Sequence, residues 1–303
     1  MQARRHSRQH IICLAALLSL AIASANAGVD KITVQDDTQH TVTLPRPAHR
    51  IISLAPHVTE LLFAAGAGPY VIGVSAYSDY PPVVKQLPSV GDSNALDAER
   101  IIALKPDLVV AWNSGNSASQ LATLRAIGIP VFESEPHDFA AIASSLERLS
   151  ILAGTENIGK PAAAAFRARL AILGKTYQKH PKVRVFYQIW QKPLMTLNDH
   201  HLVSSVIRLC GGENIFGKLS QLAPTVSTEA VLQANPEVIF AADSKQPADG
   251  DSGGWRRFPA LTAVMRNNLF ALTPDQMSRP GPRILDGATE LCQKLDVARA
   301  RRK

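Results

Sequence analysis

The sequence predicts an α/β protein of two similar lobes, each with a parallel-sheet core, joined by one long rigid α-helix and separated by a ligand cleft. The first observation is an internal repeat: residues 99–112 return without a gap as residues 229–242, with Glu99 aligned to Glu229, Pro106 to Pro236 and Asp107 to Glu237. Each copy has the pattern of a short helix broken at a proline and then an apolar run of strand length. The second observation is a helical pattern that separates the two copies.

The spacing of the copies favours duplicated lobes over a solenoid, whose repeats recur every ~20–50 residues. Lobes that are built alike usually meet across a cleft, and a ligand binds there. The alternative is convergence, because α/β folds often reuse the helix–proline–strand turn. The acids at the start of both helices favour duplication.

The N-terminus has the features of an export signal over residues 1–27. A basic start precedes an apolar stretch over 11–23, and residues 25–27 form an Ala-Asn-Ala cleavage site. The apolar stretch is shorter than the ~20 residues that a membrane span needs. We therefore expect a soluble, periplasmic mature protein that begins near Gly28.

The composition is that of a globular protein, with 46% apolar and 19% charged residues. Much of the formal net charge of +7 belongs to the signal segment and to the C-terminal tail 299–303, which we expect to be solvated and outside the packed body. Nucleic-acid binding therefore gains little support. We expect a monomer without a resident cofactor or metal.

Lobe one is predicted over residues 28–138. Alternation of apolar and polar residues over 29–42 predicts a half-buried β-hairpin, and the strand–helix alternation that follows is typical of a parallel sheet. The remaining elements are a strand over 50–54, a capped helix over 59–66, a strand over 71–75, the first repeat copy, a helix over 121–128 and a strand over 130–132.

Residues 139–180 are predicted to form the connecting helical region, because apolar residues recur there at i+3/i+4 spacing. The segment 154–156 marks a break with a new N-cap, and the helix that follows is expected to be long, alanine-rich and without a proline inside. A continuous helix is a stiff connector. We therefore expect only a small opening motion between the lobes.

Lobe two is predicted over residues 181–303. Its elements are a strand over 183–187, a loop around Trp190, a helix over 203–209, the second repeat copy, a flexible loop over 249–254 and a helix over 284–295. After signal cleavage two cysteines remain, Cys210 and Cys292, and such a pair most often forms a disulfide in an oxidising compartment. Two buried free thiols are the alternative.

Four motifs carry a resemblance to a known family: the loop 75–82, the repeat copy 99–112, the Cys-Gly-Gly-Glu-Asn-Ile-Phe stretch 210–216, and the segment 279–284. With the two lobes and the export signal, they make the chain similar to substrate-binding proteins of ABC importers. The resemblance is to the helical-backbone class that binds metal chelates, and within it to the periplasmic cobalamin-binding receptors. It implies capture of cobalamin or a related corrinoid between the lobes and delivery to an inner-membrane ABC permease and its ATPase.

The resemblance also implies roles for individual residues. It places ligand contacts at Tyr80 and Trp112 in lobe one and at Asp275 and Arg279 in lobe two. Aromatic side chains suit a corrin ring, because they offer flat, rigid contact area at little entropic cost. Asp275 and Arg279 suit the amides at the rim of the corrin ring, because the carboxylate accepts hydrogen bonds and the guanidinium donates them. Arg283 is expected to be structural.

The resemblance further implies a disulfide between Cys210 and Cys292, and docking of Glu99 and Glu229 onto arginines of the permease. Both glutamates also have an ordinary explanation, because acids at helix N-termini are stabilised by the helix dipole. Their matching places in the two repeat copies are what suggest docking.

The chain departs from the family pattern in the wall of the cleft. Ser93 replaces a rim tryptophan, and Ile189 and Met195 occupy aromatic positions of the lobe-two loop. Trp190, where a glycine is usual, becomes a further expected ligand contact. The lobe-two wall is thus rebuilt.

Three histidines, His57, His200 and His201, could indicate a metal site. His57 is predicted in the first strand–helix loop, facing the cleft, where it could contact the ligand or axially ligate a corrinoid cobalt or a haem iron. His200 and His201 are expected to be solvated loop residues. A receptor for a free ion needs three or four converging ligands, and the sequence does not supply them around His57.

A haem or ferric-siderophore receptor on the same scaffold is the nearest alternative. An anionic siderophore would need several cleft arginines, and the sequence offers one or two. A secreted α/β enzyme is a more distant alternative, because the sequence contains no nucleophile elbow, phosphate-binding loop or zinc-protease motif. The prediction is therefore a binding protein and not an enzyme.

Overall fold

The computed structural model describes residues 31–241 and 254–302. The predicted export signal lies outside the described residues, and so does the predicted loop over 249–254 except for Gly254. Within the described ranges, no helix is both long enough and apolar enough to cross a membrane. The chain from Ile32 onwards groups into one compact unit.

The described residues form strands, α-helices and three short 3-10 helices, the last at Gly68–Tyr70, Pro82–Gln86 and Trp255–Arg257. The strands are β1 (Ile32–Gln35), β2 (Thr41–Leu44), β3 (Ile51–Ser53), β4 (Val71–Val74), β5 (Leu108–Trp112), β6 (Val131–Ser134), β7 (Val183–Gln188), β8 (Gly212–Asn214), β9 (Val238–Ala241) and β10 (Leu269–Ala271). The α-helices are α1 (Pro56–Ala64), α2 (Ala98–Ala103), α3 (Ala118–Ala126), α4 (Phe139–Ala153), α5 (Glu156–Tyr177), α6 (Leu202–Leu209), α7 (Thr228–Ala234), α8 (Thr262–Met265), α9 (Pro274–Ser278) and α10 (Ile284–Ala300).

Each lobe has a parallel sheet of four strands, and the two sheets have the same strand order. The order is β4-β3-β5-β6 in lobe one and β8-β7-β9-β10 in lobe two, so each lobe places its second sheet strand at the edge beside its first. Strands β1 and β2 form an antiparallel pair with Val34 opposite Val42, which confirms the predicted hairpin. The predicted fold class of two α/β lobes with parallel-sheet cores is confirmed.

The internal repeat is also present in the hydrogen bonds of the proline turns. Asp107 N donates to Arg50 O at 3.0 Å, and Glu237 N donates to Arg184 O at 2.9 Å. The side chains accept the reverse bonds, with Asp107 Oδ1 2.9 Å from Arg50 N and Glu237 Oε1 3.2 Å from Arg184 N. The aligned acids therefore attach each turn to the first sheet strand of its own lobe.

The connecting region consists of two helices. The Asp138 carboxylate accepts a bond from Ala141 N at 2.7 Å and caps α4, which ends at Gly154 in a left-handed conformation with φ of 68°. That confirms the predicted break. The following helix α5 is 22 residues long and contains Pro161. The expectation of a proline-free helix is wrong, because the helix starts six residues before the alanine-rich stretch.

The lobes share one apolar core. Its buried side chains come from both sheets and from the connecting helices, with Leu146 of α4 and Phe166 of α5 among them. Helix α5 packs against α1 and α4 on the lobe-one side and against α6 and α10 on the lobe-two side. The opposite face of each sheet has its own apolar cluster. The limits at 138 and 180 that divide the chain into domains stay predictions.

Several helix ends differ from the sequence prediction; α3, for example, spans Ala118–Ala126 rather than residues 121–128. Helix α1 begins at Pro56 rather than Thr59, because a proline suits the first helical position, and Ala55 at the N-cap gives no side-chain cap. Thr59 is instead buried and donates to Ala55 O at 3.2 Å.

At the C-terminus, α10 continues to Ala300, and the basic tail belongs to the packed body. Arg299 donates to Cys210 O at 2.7 Å, and Arg302 donates to Glu237 Oε2 at 2.7 Å. The expectation of a solvated tail is therefore wrong for the described residues up to 302.

The disulfide is present between Cys210 and Cys292, whose Cα atoms are 4.7 Å apart. It joins the end of α6 to α10 inside lobe two, and both cysteines are fully buried. The predicted pairing is confirmed.

Candidate functional site

One side of the cleft between the lobes is closed by a cluster of charged side chains. Arg279, at the end of α9 in lobe two, donates to Glu60 Oε1 at 3.0 Å and to Asp79 Oδ1 at 2.7 Å in lobe one. It also lies 3.3 Å from Asp275 within its own helix. Arg283 forms a bidentate pair with Glu60, at 2.8 Å from Nε to Oε2 and 2.5 Å from Nη2 to Oε1. We call Glu60, Asp79, Asp275, Arg279 and Arg283 the cross-lobe charge cluster.

The cluster is mostly dry at its centre. The Glu60 side chain is 3% exposed, and that of Arg279 is 12% exposed. Burial alone lowers the pKa of Arg279, but the hydrogen bonds to Asp79 and Glu60 and the nearby carboxylate charges outweigh it and raise this pKa. Two guanidinium groups face three carboxylates, which leaves one excess negative charge.

Tyr80 lies beneath this cluster. The Arg283 guanidinium sits over its ring, 3.9 Å from the centroid, in a cation–π geometry. The tyrosine remains 43% exposed. Arg283, expected to be structural, thus contacts one of the predicted ligand-binding residues.

A cavity of about 230 Å³ lies between the lobes and is lined by both. Lobe one contributes Trp112, Ser114, Glu135, Pro136 and His137, and lobe two contributes His200, His201, Leu202, Leu222, Met277, Ser278 and Pro280. We call it the inter-lobe cavity. A second cavity of about 190 Å³ lies on the lobe-one side, and Trp112 lines it as well. Trp112 therefore borders both cavities.

The end of β5 holds Trp112 in place. Its Nε1–H donates to Glu135 Oε1 at 3.3 Å, and its backbone N–H donates to Asn116 Oδ1 at 2.7 Å. The indole lies against Gly115 so closely that a Cβ on this glycine would be 1.9 Å from indole Cε3. Gly115 is therefore required by the position of the tryptophan.

His57 lies in the first turn of α1, behind Trp112, and not in the predicted strand–helix loop, because the helix begins at Pro56. The two rings meet edge to face with centroids 5.6 Å apart. His57 is 4% exposed, and its Nε2 is buried without a hydrogen-bond partner among the described residues. Burial, and then the charge of Arg279, lower the pKa of His57 to about 3, so the ring is neutral at neutral pH.

His201 is not the solvated loop residue that the sequence suggested. It is the N-cap of α6, where its Nδ1 accepts a bond from Val203 N at 3.1 Å. Burial lowers its pKa to about 4. No sequence signal identifies it, because histidine is not among the residues that usually cap helices.

The structure brings most, but not all, of the other predicted ligand contacts to the cleft. Tyr80, Asp275 and Arg279 meet in or beside the cross-lobe charge cluster, and Trp112 lines the cavities. Trp190 is 57% exposed and donates from Nε1 to Lys192 O at 3.0 Å. It lines neither of the two cavities, so the structure does not bring it together with the other predicted contacts.

The two predicted docking acids hold equivalent positions in the two lobes. Glu99 lies in the first turn of α2, which Asp97 caps, and Glu229 lies in the first turn of α7, which Ser227 caps. Both glutamates are exposed. Neither carboxylate makes a hydrogen bond or ion pair within residues 31–241 and 254–302.

Among the described residues, three side chains outside the cleft have metal-ligand atoms within 4.8 Å of one another, namely those of Asp36, His40 and Glu133. Their arrangement has a structural explanation. Asp36 accepts bonds from Thr38, His40 and Glu133 backbone N–H groups, and Glu133 pairs with Arg125. Asp36 therefore fastens the β1–β2 turn to β6, and Glu133 attaches β6 to α3 through Arg125.

The sequence matches the model of a family described as periplasmic binding proteins over residues 51–275. A vitamin B12-binding protein of Vibrio cholerae is 40% identical over 262 residues, which cover 86% of this chain and 94% of the relative. A vitamin B12-binding protein of Vibrio campbellii is 41% identical over 256 residues, with 84% and 92% covered.

Solved structures show the same similarity. The periplasmic vitamin B12-binding protein of Vibrio cholerae is 41% identical with a TM-score of 0.77, over 84% of this chain and 98% of that chain. A periplasmic heme-binding protein from Roseiflexus is 27% identical with a TM-score of 0.72, over 83% and 99%. With two lobes of one strand order joined through a helical connector, the chain belongs to the periplasmic binding protein family.

Proposed function

We propose that this protein captures cobalamin or a related corrinoid in the cleft between its lobes and delivers it to an ABC permease and its ATPase. The relatives that support this proposal are named vitamin B12-binding proteins and share about two residues in five with the chain along most of its length. The ligand side of the proposal rests further on the chemistry of the cleft.

The observation that carries the choice of ligand is the charge balance of the cross-lobe charge cluster. Arg279 and Arg283 are already paired with Glu60, Asp79 and Asp275, and the cluster has one excess negative charge. Haem and ferric siderophores usually carry anionic groups, which would have to compete with these carboxylates for the two arginines. A neutral or cationic corrinoid meets no such competition, and its rim amides can bond to both signs of charge.

The cleft has to open before a corrinoid can enter. The inter-lobe cavity of about 230 Å³ is smaller than the ~300–1,000 Å³ of sites that enclose a drug-sized ligand, and a corrinoid is larger than a drug. Opening separates Arg279 and Arg283 from Glu60 and Asp79. The shared core and helix α5, which contacts both lobes, support the expectation of a small motion.

In the open cleft, Trp112 and Tyr80 would supply flat contact area for the corrin face. Trp112 already borders both cavities, and Tyr80 becomes free when Arg283 moves away from its ring. Asp275, which is 47% exposed and touches only the edge of the cluster, would accept bonds from rim amides. Roles for His57 and Trp190 in ligand binding stay predictions.

Titration calorimetry of the purified protein tests this proposal. We expect one-to-one binding of cyanocobalamin that weakens at least about tenfold in Trp112→Ala, because a large aromatic contact is lost. Tyr80→Ala should weaken it as well. Met265→Ala, which removes an exposed side chain from α8, is the control and should leave binding unchanged. Heat with haem or a siderophore, and none with cobalamin, would move the ligand to the alternative class.

We also propose that Glu99 and Glu229 dock onto basic residues of the permease, one from each lobe. Both carboxylates are exposed and are placed alike by two capped helices. The double variant Glu99→Gln/Glu229→Gln should keep cobalamin affinity but lose salt-sensitive association with the permease and transport. Glu213→Gln, which changes another exposed acid of lobe two, is the matched control. Loss of cobalamin binding in the double variant would contradict a docking role.

The periplasm is the proposed site of action, with export through residues 1–27 and cleavage after Ala27. The relatives are periplasmic proteins, and the sequence has the charge and hydropathy pattern of a signal. Mass spectrometry of the exported protein should give a chain that begins at Gly28. A chain that retains Met1 would contradict the proposal.

A further inference from the structure

The inter-lobe cavity has an unusual concentration of imidazole groups. His137 approaches it from lobe one, and His200 and His201 approach it from lobe two, beside the apolar surfaces of Trp112 and Leu202. His137 and His200 are exposed, whereas His201 is partly buried. His201 is also the one of the three whose ring is fixed by a bond to the backbone of the described chain.

That bond determines where the proton of His201 lies. Nδ1 accepts a hydrogen bond from Val203 N at 3.1 Å, so Nδ1 must carry a lone pair. In a neutral imidazole the proton is then on Nε2. Burial keeps the ring neutral, because it lowers the pKa of His201 to about 4. The ring therefore presents an N–H group and no second acceptor.

The Nε2–H group is free to bind a ligand. It makes no hydrogen bond within the described residues. Nε2 of His57 also lacks a partner but is buried, whereas Nε2 of His201 is not a buried atom. It is thus accessible, on a residue that lines the cavity between the lobes. The helix cap fixes the ring, so little conformational entropy is lost when the donor binds.

We propose that His201 is a ligand-binding residue whose Nε2–H donates a hydrogen bond to an oxygen of the ligand in the inter-lobe cavity. The proposal rests on the proposed function and deepens it. The acceptor is a carbonyl oxygen of a rim carboxamide or an oxygen of the nucleotide phosphate. The same geometry excludes His201 as an axial cobalt ligand while it caps α6, because a protonated Nε2 has no lone pair to give.

The variant His201→Ser separates the two jobs of this residue. Serine is a good N-cap, so α6 keeps its cap while the cavity loses the imidazole donor. We expect cyanocobalamin affinity to fall about threefold to tenfold, as for the loss of one hydrogen bond, with little change in Tm. His201→Ala should show the same loss of affinity and a lower Tm. Unchanged affinity in both variants would overturn the proposal.

Cobinamide, which lacks the nucleotide and its phosphate, distinguishes the two acceptors. An equal loss of affinity for cobinamide and cobalamin in His201→Ser assigns the bond to a carboxamide. A loss for cobalamin alone assigns it to the phosphate. Both results support the proposal, since both identify an acceptor oxygen.

A second readout does not depend on the ligand assignment. Nitrogen NMR of the ligand-free protein should show His201 as the Nε2-protonated tautomer at neutral pH, and cobalamin should shift that resonance. A proton on Nδ1 would overturn the proposal. If the wild-type protein binds no corrinoid at all while the tautomer is as expected, the proposed function fails and the hydrogen-bonding geometry stands.

Discussion

The two lobes are alike in their backbone and unlike in what they present to the cleft. Both sheets have one strand order, and both proline turns are attached by an acid, Asp107 or Glu237, to the arginine at the first sheet strand. Lobe one presents the Trp112 indole and the carboxylates of Glu60 and Asp79, whereas lobe two presents both guanidinium groups and two of the three imidazole groups. The backbone bonds of the repeat have been retained, and the side chains beyond the strand ends have diverged.

This comparison explains why the charged contacts cross the cleft. Glu60 and Asp79 belong to lobe one, and their partners Arg279 and Arg283 belong to lobe two. A buried carboxylate requires a cation or other donors, and here the cation comes from the other lobe. The closed cleft is thus stabilised by groups that neither lobe can satisfy alone.

The largest expected effect comes from removing both cations of the cross-lobe charge cluster. Arg279→Ala/Arg283→Ala leaves Glu60 buried without a countercharge, so the free energy of unfolding should fall by about 3–5 kcal/mol. Urea unfolding measures it. Adding Glu60→Gln should recover part of the loss, because the buried charge is then gone. A loss below about 1 kcal/mol in the double variant would contradict the idea that the lobes depend on each other here.

The buried histidines of the two lobes predict a loss of stability in acid. The pKa is about 3 for His57 in lobe one and about 4 for His201 in lobe two, below the ordinary value of 6.5. Below pH 6.5 the unfolded chain binds protons that the folded protein does not, so stability falls as pH falls, down to about pH 3 for His57 and about pH 4 for His201.

The expected size of this effect is about 2 kcal/mol for each histidine at pH 5, since one pH unit corresponds to about 1.36 kcal/mol per proton. Urea unfolding between pH 7.5 and 5 measures it. In His57→Gln and in His201→Ser, unfolding at acid pH should take up about one proton fewer than in the wild type. The free energy of unfolding should therefore depend less steeply on pH. An unchanged slope in either variant would show that the ring is protonated in the folded protein.

Gly115 tests the aromatic surface that lobe one presents. Gly115→Ala places a methyl group where the Trp112 indole lies, so the indole must move. We expect a stability loss of about 1–3 kcal/mol from overpacking and weaker cobalamin binding by calorimetry. Gly174→Ala is the matched control, because the nearest atom would be 3.5 Å from its new Cβ, and it should leave binding unchanged. Unimpaired binding in Gly115→Ala would show that the ligand does not use this indole position.

The smallest effects are expected at the turns where the lobes are alike. Asp107→Ala should cost about 1–2 kcal/mol, because the N–H groups of His49 and Arg50 lose their acceptor. Glu237→Ala should cost more, since Glu237 also accepts bonds from Arg266 and Arg302. Thermal or urea unfolding of the two variants compares the lobes directly. A larger loss for Asp107→Ala would show that the tail contacts of Glu237 contribute little.

The sequence was sufficient for most of the architecture, because both proline turns and most strands have a local signal. The edge strands β8 and β10 of lobe two were not predicted, and each is only three residues long. The repeat predicted two lobes, and the pair of cysteines together with the family resemblance predicted the disulfide. Two of the helix ends that were predicted wrongly are ends that no local signal marks. The start of α1 at Pro56 has no capping side chain to mark it, and the end of α10 depends on arginine contacts with residues far away in the chain.

The site was only partly predictable for the same reason. Trp112 and Arg279 follow from the family motifs, but the charge cluster joins residues that are 200 or more positions apart, such as Arg279 with Asp79 and with Glu60. The role proposed for His201 depends on its place at the cap of α6 and on a cavity whose other wall belongs to lobe one. Neither feature leaves a pattern in the nearby sequence.

We propose that the cleft selects a neutral or cationic corrinoid because its two arginines are already paired. Parallel calorimetric titrations of the wild-type protein with cyanocobalamin and with haem, at the same ionic strength, test it most directly. We expect tight one-to-one binding of cyanocobalamin and at least about a hundredfold weaker binding of haem, equivalent to about 2.7 kcal/mol. Haem binding as tight as that of cyanocobalamin would show that the paired arginines do not select the ligand.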